Sequence, residues 1–165
     1  MLEKNRFEGD TVLIANPGEK GFTITRTFNA PARLVFDAWT KPELMKQWYG
    51  NACMTLDVCE MDVRPGGAWR RVLVDKDGNR VAFYGTFQEV EAPHHVVFTE
   101  IFEPFPDHPS TVTVTLREQG GKTHATLVQL HGSVESRDAH IGSGMEHGMR
   151  ETLDRLEALL TSRHN

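Results

Sequence analysis

Two cysteines, Cys53 and Cys59, are all that this 165-residue chain contains, and no disulfide framework can be built from them. They stand six positions apart in CMTLDVC, on one face if the segment is a strand, and at that spacing in one straight strand they are too far apart to bond. They read as reduced thiols in or near a core, since no further Cys and His stand at zinc spacing. Positive charge is also in short supply: 18 Lys and Arg against 23 Asp and Glu leave a net charge of −5. A nucleic-acid partner needs a concentrated basic face, and none is visible. Long apolar runs are missing too. The start, MLEKNRFEGD, lacks the hydrophobic stretch of a signal peptide, and nothing later approaches a membrane span. A cytoplasmic protein with no membrane partner is therefore expected. There is no Walker loop, no Gly-x-Gly-x-x-Gly and no recognisable Ser-His-Asp or Cys-His order, and MEHGMRE is not His-Glu-x-x-His. No metal, no cofactor and no catalytic residue is expected.

What remains is an ordinary globular composition, 39% hydrophobic and 25% charged. A chain of this length fits one domain that buries about 70% of the surface its unfolded form exposes. Residues 1–20 mix charges with NPGEKG and read as a loosely ordered N-terminal arm with a short extended piece at TVLIA. The domain proper should span 21–162.

FTITRTF alternates Phe22, Ile24 and Arg26 against threonines, a strand pattern, and NAPARLVFDAWT then changes to helical spacing with Pro31 at the first turn. Thr40 and Glu43 match a capping box, so PELMKQW should form a second short helix. From Ala52 to His131, turn signals at Pro65-Gly66-Gly67, Asp77-Gly78, Pro93, the loop EPFPDHP and Gly120-Gly121 separate six strand-like runs. Val112, Val114 and Leu116 alternate with threonines, so one sheet face is buried and the other wet. Ser143 and Glu146 form a second capping box before a helix from Gly144 to about Thr161. Stepping 100° per residue, Met145, Met149, Thr152, Leu153, Leu156 and Leu160 share one sector, with Gly148 on its flank. This helix can lie across the buried face. SVESRDAHI before it reads equally as a short helix or an irregular lead-in.

The stretches FNAPARLVFDAWTKPELMKQWYG, MDVRPGGAWR, FYGTFQEVEAPHHVVFTE and GMEHGMRETLDRLEALL resemble the START-like (SRPBCC) superfamily. Within it they are similar to proteins related to the C-terminal domain of the activator of heat-shock protein 90 ATPase. The resemblance covers roughly Gly21 to Leu160. It implies an α+β helix-grip fold: a curved antiparallel sheet of about seven strands around a long C-terminal helix, with two short helices after the first strand. It also implies an internal cavity between sheet and helix, which relatives use for lipids, sterols, hormones and polyketides.

Candidate ligand-binding residues follow from that cavity. The first half of the last helix carries Met145, Gly148, Met149 and Thr152 where the second half carries leucines, and methionine and glycine leave room. Two readings are open: a cavity roof, or glycines that let the helix come close with methionines filling the gap. Trp39, Trp48, Trp69, Phe83 and Phe87 offer aromatic lining, with Trp48 placed at the mouth by the resemblance. Trp69, Arg71 and Leu73 share one strand face, and Phe83, Gly85, Phe87 and Glu89 share another, though the pattern does not say which face points inward. An inward Arg71 would anchor a carboxylate or oxyanion. His131 at a strand end is a candidate hydrogen-bonding group, whereas His147 falls opposite the leucines and should be exposed. The expected function is binding of a small apolar or amphipathic molecule by a monomer or weak homodimer. The alternatives are an interaction module contacting a chaperone and a cyclase-type enzyme acting on a polyketide-like chain.

Overall fold

The computed structural model describes residues 11–164. The first ten residues of the expected arm lie outside the described residues. Two strands open the fold, β1 (Val12–Ile14) and β2 (Gly21–Phe28), followed by helices α1 (Ala32–Thr40) and α2 (Pro42–Trp48). Six strands then run in sequence: β3 (Thr55–Met61), β4 (Ala68–Val74), β5 (Arg80–Glu91), β6 (His95–Phe102), β7 (Ser110–Gln119) and β8 (Lys122–His131). Helices α3 (Val134–Gly142) and α4 (Met145–His164) close the chain. One antiparallel sheet has the order β1-β2-β8-β7-β6-β5-β4-β3. The strands number eight rather than about seven. The additional one is the short TVLIA piece, whose Val12 and Ile14 lie opposite Thr25 and Thr23 of β2.

The buried face is built by alternation. Ile24, Leu127, Val114, Val96 and Val90 form one row across five strands, and Gln129, Val112, Phe98 and Phe87 continue the next from Phe22. Two bulges interrupt it. One lies between Leu56 and Val58 in β3; the other lies between Phe87 and Glu89 in β5. The second corrects the expected alternation, because the extra residue turns Glu89 out to solvent and brings Val90 into register with Val96.

Helices α1, α2 and α4 cover this face. Leu153, Leu156 and Leu160 of α4 are fully buried, as are Val35 of α1 and Met45 and Trp48 of α2. The second helix layer is therefore broader than a single C-terminal helix, with α1 lying directly against β7 and β8. On its far side α4 is pinned by charge: buried Arg26 of β2 donates to Asp154 at 2.5 Å, and Arg150 donates to the Thr11 carbonyl.

Neither expected capping box forms. Pro42 restricts the residue before it to extended backbone, so Lys41 (φ −114°, ψ 118°) breaks the chain between α1 and α2. Thr40 stays in the last turn of α1 and donates its hydroxyl to the Phe36 carbonyl at 2.7 Å. Ser143 closes α3 instead of opening α4: its backbone is helical, its hydroxyl donates to the His140 carbonyl at 2.6 Å, and Gly144 then turns the chain at φ +87°. SVESRDAHI is helical, with Ser133 accepting from the Ser136 amide at 3.0 Å.

A pair of imidazoles fastens α3 to the sheet. His131 Nδ1 lies 3.3 Å from the Lys20 carbonyl, and its Nε2 lies 3.0 Å from His140 Nδ1. The carbonyl can only accept, so His131 carries its proton on Nδ1 and accepts on Nε2 from His140. A proton added to His131 would go to Nε2 and require His140 to give up the Nδ1–H that His131 now accepts. Burial, then the neighbouring His140, lowers the His131 pKa; burial lowers that of His140. Glu100 opposes the shift at His131 and Arg137 adds to it. The unfolded chain, with histidines near 6.5, therefore takes up protons before the folded chain does. The stabilisation is complete above that value and is lost as pH falls below it. Melting temperature should drop between pH 7.5 and 5.5 in the native chain. In a His131→Asn, His140→Gln double variant the drop should be smaller; an equal drop would show that the pair is not responsible.

Candidate functional site

The inner face of β4 presents Trp69, Arg71 and Leu73, all buried. Arg71 is 2% exposed and stands opposite Cys59 of β3 and Phe83 of β5. Three rings surround its guanidinium: Trp69 at 4.4 Å, Tyr49 at 5.1 Å and Phe98 at 5.6 Å from carbon to ring centroid. Such cation–π contacts offset part of the cost of burying the charge. Among the described residues no carboxylate pairs with Arg71, and its Nε has no hydrogen-bond partner.

The neighbours that could ionise do not neutralise it. Burial pushes the Tyr49 phenol up despite the opposing pull of Arg71, and does the same to the Cys59 thiol. Both remain protonated at neutral pH. Glu100, also on the inner face, accepts from Gln129 Nε2 at 3.0 Å.

Trp69 holds its place through a gap in the sheet. Its indole N–H donates to the Thr99 carbonyl at 3.0 Å, while a Cβ on Gly85 would sit 1.9 Å from that same oxygen. Glycine at 85 is what lets the two strands and the indole converge.

Beside Arg71 is a small void of about 10 Å³ under α1. That volume admits about one water-sized group. Phe36, Trp39 and Thr40 of α1 form one wall; Phe87, Phe98 and Val96 of the sheet form the other, continued by Val114 and Leu116. His95, half-buried and within 3.0 Å of Glu89, and half-buried Thr40 are its polar margin. Trp39 is 8% exposed, and its indole N–H, like Arg71 Nε, has no partner.

Of the residues marked out by sequence, Trp39, Arg71 and Phe87 line this void. Trp69 lies under Arg71, and half-buried Phe83 stacks on Phe102 at 5.3 Å. Trp48 is not at a mouth: it is fully buried and donates to the Ala38 carbonyl at 3.0 Å, because α2 folds back onto α1. His131 sits at the other end of the sheet, with His140. His147 is exposed, as expected from its place on the helix.

The Met/Gly half of α4 faces the segment after α2. Thr152 donates to the Gly50 carbonyl at 2.7 Å, Glu151 accepts from the Ala52 amide at 2.6 Å, and Gly148 lies over Asn51. Met145 and Met149 are half-buried. Sequence did not single out Phe36, Tyr49, His95, Phe98 or His140. Val96 and Phe98 carried little signal, since Val97 between them is also apolar and buried.

A Gly85→Ala variant should lose stability by about 1–3 kcal/mol, the usual cost of forcing atoms into a filled site. Denaturant unfolding measures the loss, and a red shift in tryptophan emission should accompany it as Trp69 is displaced. Unchanged stability would mean that the strands separate freely at Gly85.

Comparison with known proteins adds the following. Similar solved structures include a protein from Mycobacterium smegmatis, at 28% identity over 94% of this chain and 99% of that one, TM-score 0.81. A protein from Nitrosomonas europaea shares 26% identity over 90% of this chain and 98% of the other, TM-score 0.80. One from Staphylococcus epidermidis shares 26% over 91% and 94%, TM-score 0.77. Among curated proteins, none matches the chain by sequence. The helix-grip arrangement agrees with these structures, and among the described residues no helix is long and apolar enough to cross a membrane. The family described as activator of Hsp90 ATPase homolog 1-like protein matches residues 29–161, and the chain belongs to that family.

Proposed function

We propose that this protein binds a small hydrophobic or amphipathic molecule on the concave face of its sheet, beneath α1. The observation that carries the reading is the composition of the void: its walls are aromatic and aliphatic, with one buried cation on its border. Ligand pockets characteristically combine apolar walls with a few convergent polar groups. A core built for stability alone gains nothing from an arginine there, since a buried charge costs several kcal/mol that an apolar side chain of similar size avoids.

The void is small, so a ligand larger than a water-sized group must part α1 from β6 and β7. The helix is suited to that. Its N-terminal end is held by the Ala32 amide donating to Glu118 at 2.9 Å, and its C-terminal end stops at the extended residue Lys41. Both joints lie at the helix ends, so α1 would move outward as a unit with α2, whose Trp48 donates to the Ala38 carbonyl and packs on Trp39. The smallness of the void favours a second reading, in which the domain works as an interaction module whose surface contacts a chaperone ATPase. A cyclase-type role would use the same inward Arg71.

The test is a methyl-resolved NMR titration with neutral apolar compounds, naphthalene and a medium-chain alcohol among them. Saturable shifts at Val96, Val114 and Leu116, with Leu160 unmoved, are the expected result. A Val114→Phe variant should fill the void and abolish them. Shifts confined to Met145 and Met149 would move the site to α4. No shift with any compound would leave the interaction module as the better reading.

A further inference from the structure

Three arginines are buried on or around the inner face, and their charges are handled differently. Arg26 meets Asp154 at 2.5 Å, with Glu157 at 3.8 Å. Arg137 meets Asp138 at 2.9 Å and donates to the carbonyls of Gly21 and Asn16. Arg71 has neither carboxylate nor carbonyl among the described residues. The tryptophans divide in the same way: Trp48 donates to Ala38 and Trp69 to Thr99, whereas the Trp39 N–H is unused. The buried arginine without a counter-charge and the tryptophan without an acceptor border the same void.

An unmade hydrogen bond leaves the desolvation of a buried donor uncompensated, and the cost rises where the group is charged. Two such donors contributed by separate elements, α1 and β4, would be a costly coincidence in a finished core. The chemistry that relieves both can be specified. Rings already lie over the guanidinium, so the remaining approach is along its edge, where Nε–H lies. Tyr49 already brings a neutral phenol oxygen to the guanidinium, and both it and Cys59 are held protonated, so a further neutral acceptor would satisfy a donor without adding a counter-charge. A carboxylate supplies two acceptor oxygens and the missing negative charge together.

We propose that Arg71 and Trp39 form a carboxylate-binding pair, and that the molecule held under α1 is a carboxylic acid with an apolar body. The inference rests on the ligand-binding reading above and names the head group. The carboxylate oxygens lie against Arg71 Nε–H and Trp39 Nε1–H. The apolar body lies along Phe36, Phe87 and Val114 toward Thr40 and His95, where the void approaches solvent.

The experiment is a ¹⁵N–¹H correlation titration of the full chain, in which the Trp39 indole and Arg71 Nε–H signals are observed directly. The probes are acetate, benzoate and decanoate, each beside its neutral primary amide. The acids should shift both N–H signals downfield and saturate, with benzoate or decanoate binding at least about tenfold more tightly than the matching amide. Arg71→Gln should abolish that preference. Trp39→Phe, which keeps the ring and removes the donor, should weaken acid binding several-fold and leave amide binding unchanged. It also serves as the deciding variant if Arg71→Gln does not fold. Equal binding of acids and amides would overturn the carboxylate assignment while leaving ligand binding intact. The same holds if neutral compounds shift the Val96 and Val114 methyls but acids do not bind. Contacts from the two N–H groups to bulk-exchanging water, undisturbed by every acid, would identify a hydration site and likewise overturn it. If neither acids nor neutral compounds bind, both readings fall together.

Discussion

The pairing of β2 with β8 brings a strand near the beginning of the described chain against one near its end, and α3 and α4 take their seats from that contact. Its register sets Gly21 opposite Leu130 and Ile24 opposite Leu127. A side chain at Gly21 would meet the Gln129 carbonyl at 2.7 Å, so the two backbones converge only because that position is bare. From this seam Lys20 offers its carbonyl to His131, Gly21 offers its carbonyl to Arg137 of α3, and Arg26 reaches Asp154 of α4. A slip of one residue would turn each of these side chains to the opposite face. The placement of α3 and α4 is thus a consequence of strand register as much as of apolar burial.

Charge inside the fold follows from the same geometry. Arg26 and Arg137 lie near helices that can bring carboxylates or carbonyls to them. Arg71 lies on β4, next to the edge strand of the eight-stranded order, under α1 and between β3 and β5. What packs around it there is aromatic. Rings stabilise a cation by their quadrupoles but supply no counter-charge. The difference is one of surroundings: Arg26 and Arg137 meet carboxylates of α4 and α3, whereas Arg71 meets rings.

The fold was legible where a pattern repeats within one element. Val112, Val114 and Leu116 announced a half-buried strand, and Leu153, Leu156 and Leu160 announced the inward side of α4. Features that join two elements were less so. Thr40 and Glu43 have capping-box spacing, yet Pro42 between them fixes the helix break one residue later. Phe83, Gly85, Phe87 and Glu89 alternate on paper, and a single inserted residue sends Glu89 to solvent. The candidate site shows the same limit. Arg71 could be singled out as an anchor from its chemistry, but its unpaired state depends on Tyr49, Trp69 and Phe98, which come from three different segments. His140 could not be joined to His131 because the chain passes from β8 to α3 through the Gly132-Ser133 turn, and no fixed spacing crosses that turn. The thin half of α4 was visible in its methionines and glycine. That Gly50 and Asn51 lie beneath it was not.

The sheet is open, and its two ends are finished differently from its middle. An unpaired strand edge is a template on which another chain can continue the hydrogen-bond ladder, and long flat edges invite aggregation. Here β1 is three residues long, and β3 is bent by the bulge at Leu56–Val58 and carries exposed Asp57 and Glu60. Neither offers a straight run for an incoming strand. The rim of the sheet thus discourages chain-to-chain growth, and that protection is supplied by the two edge strands and asks nothing of the strands that carry the buried face.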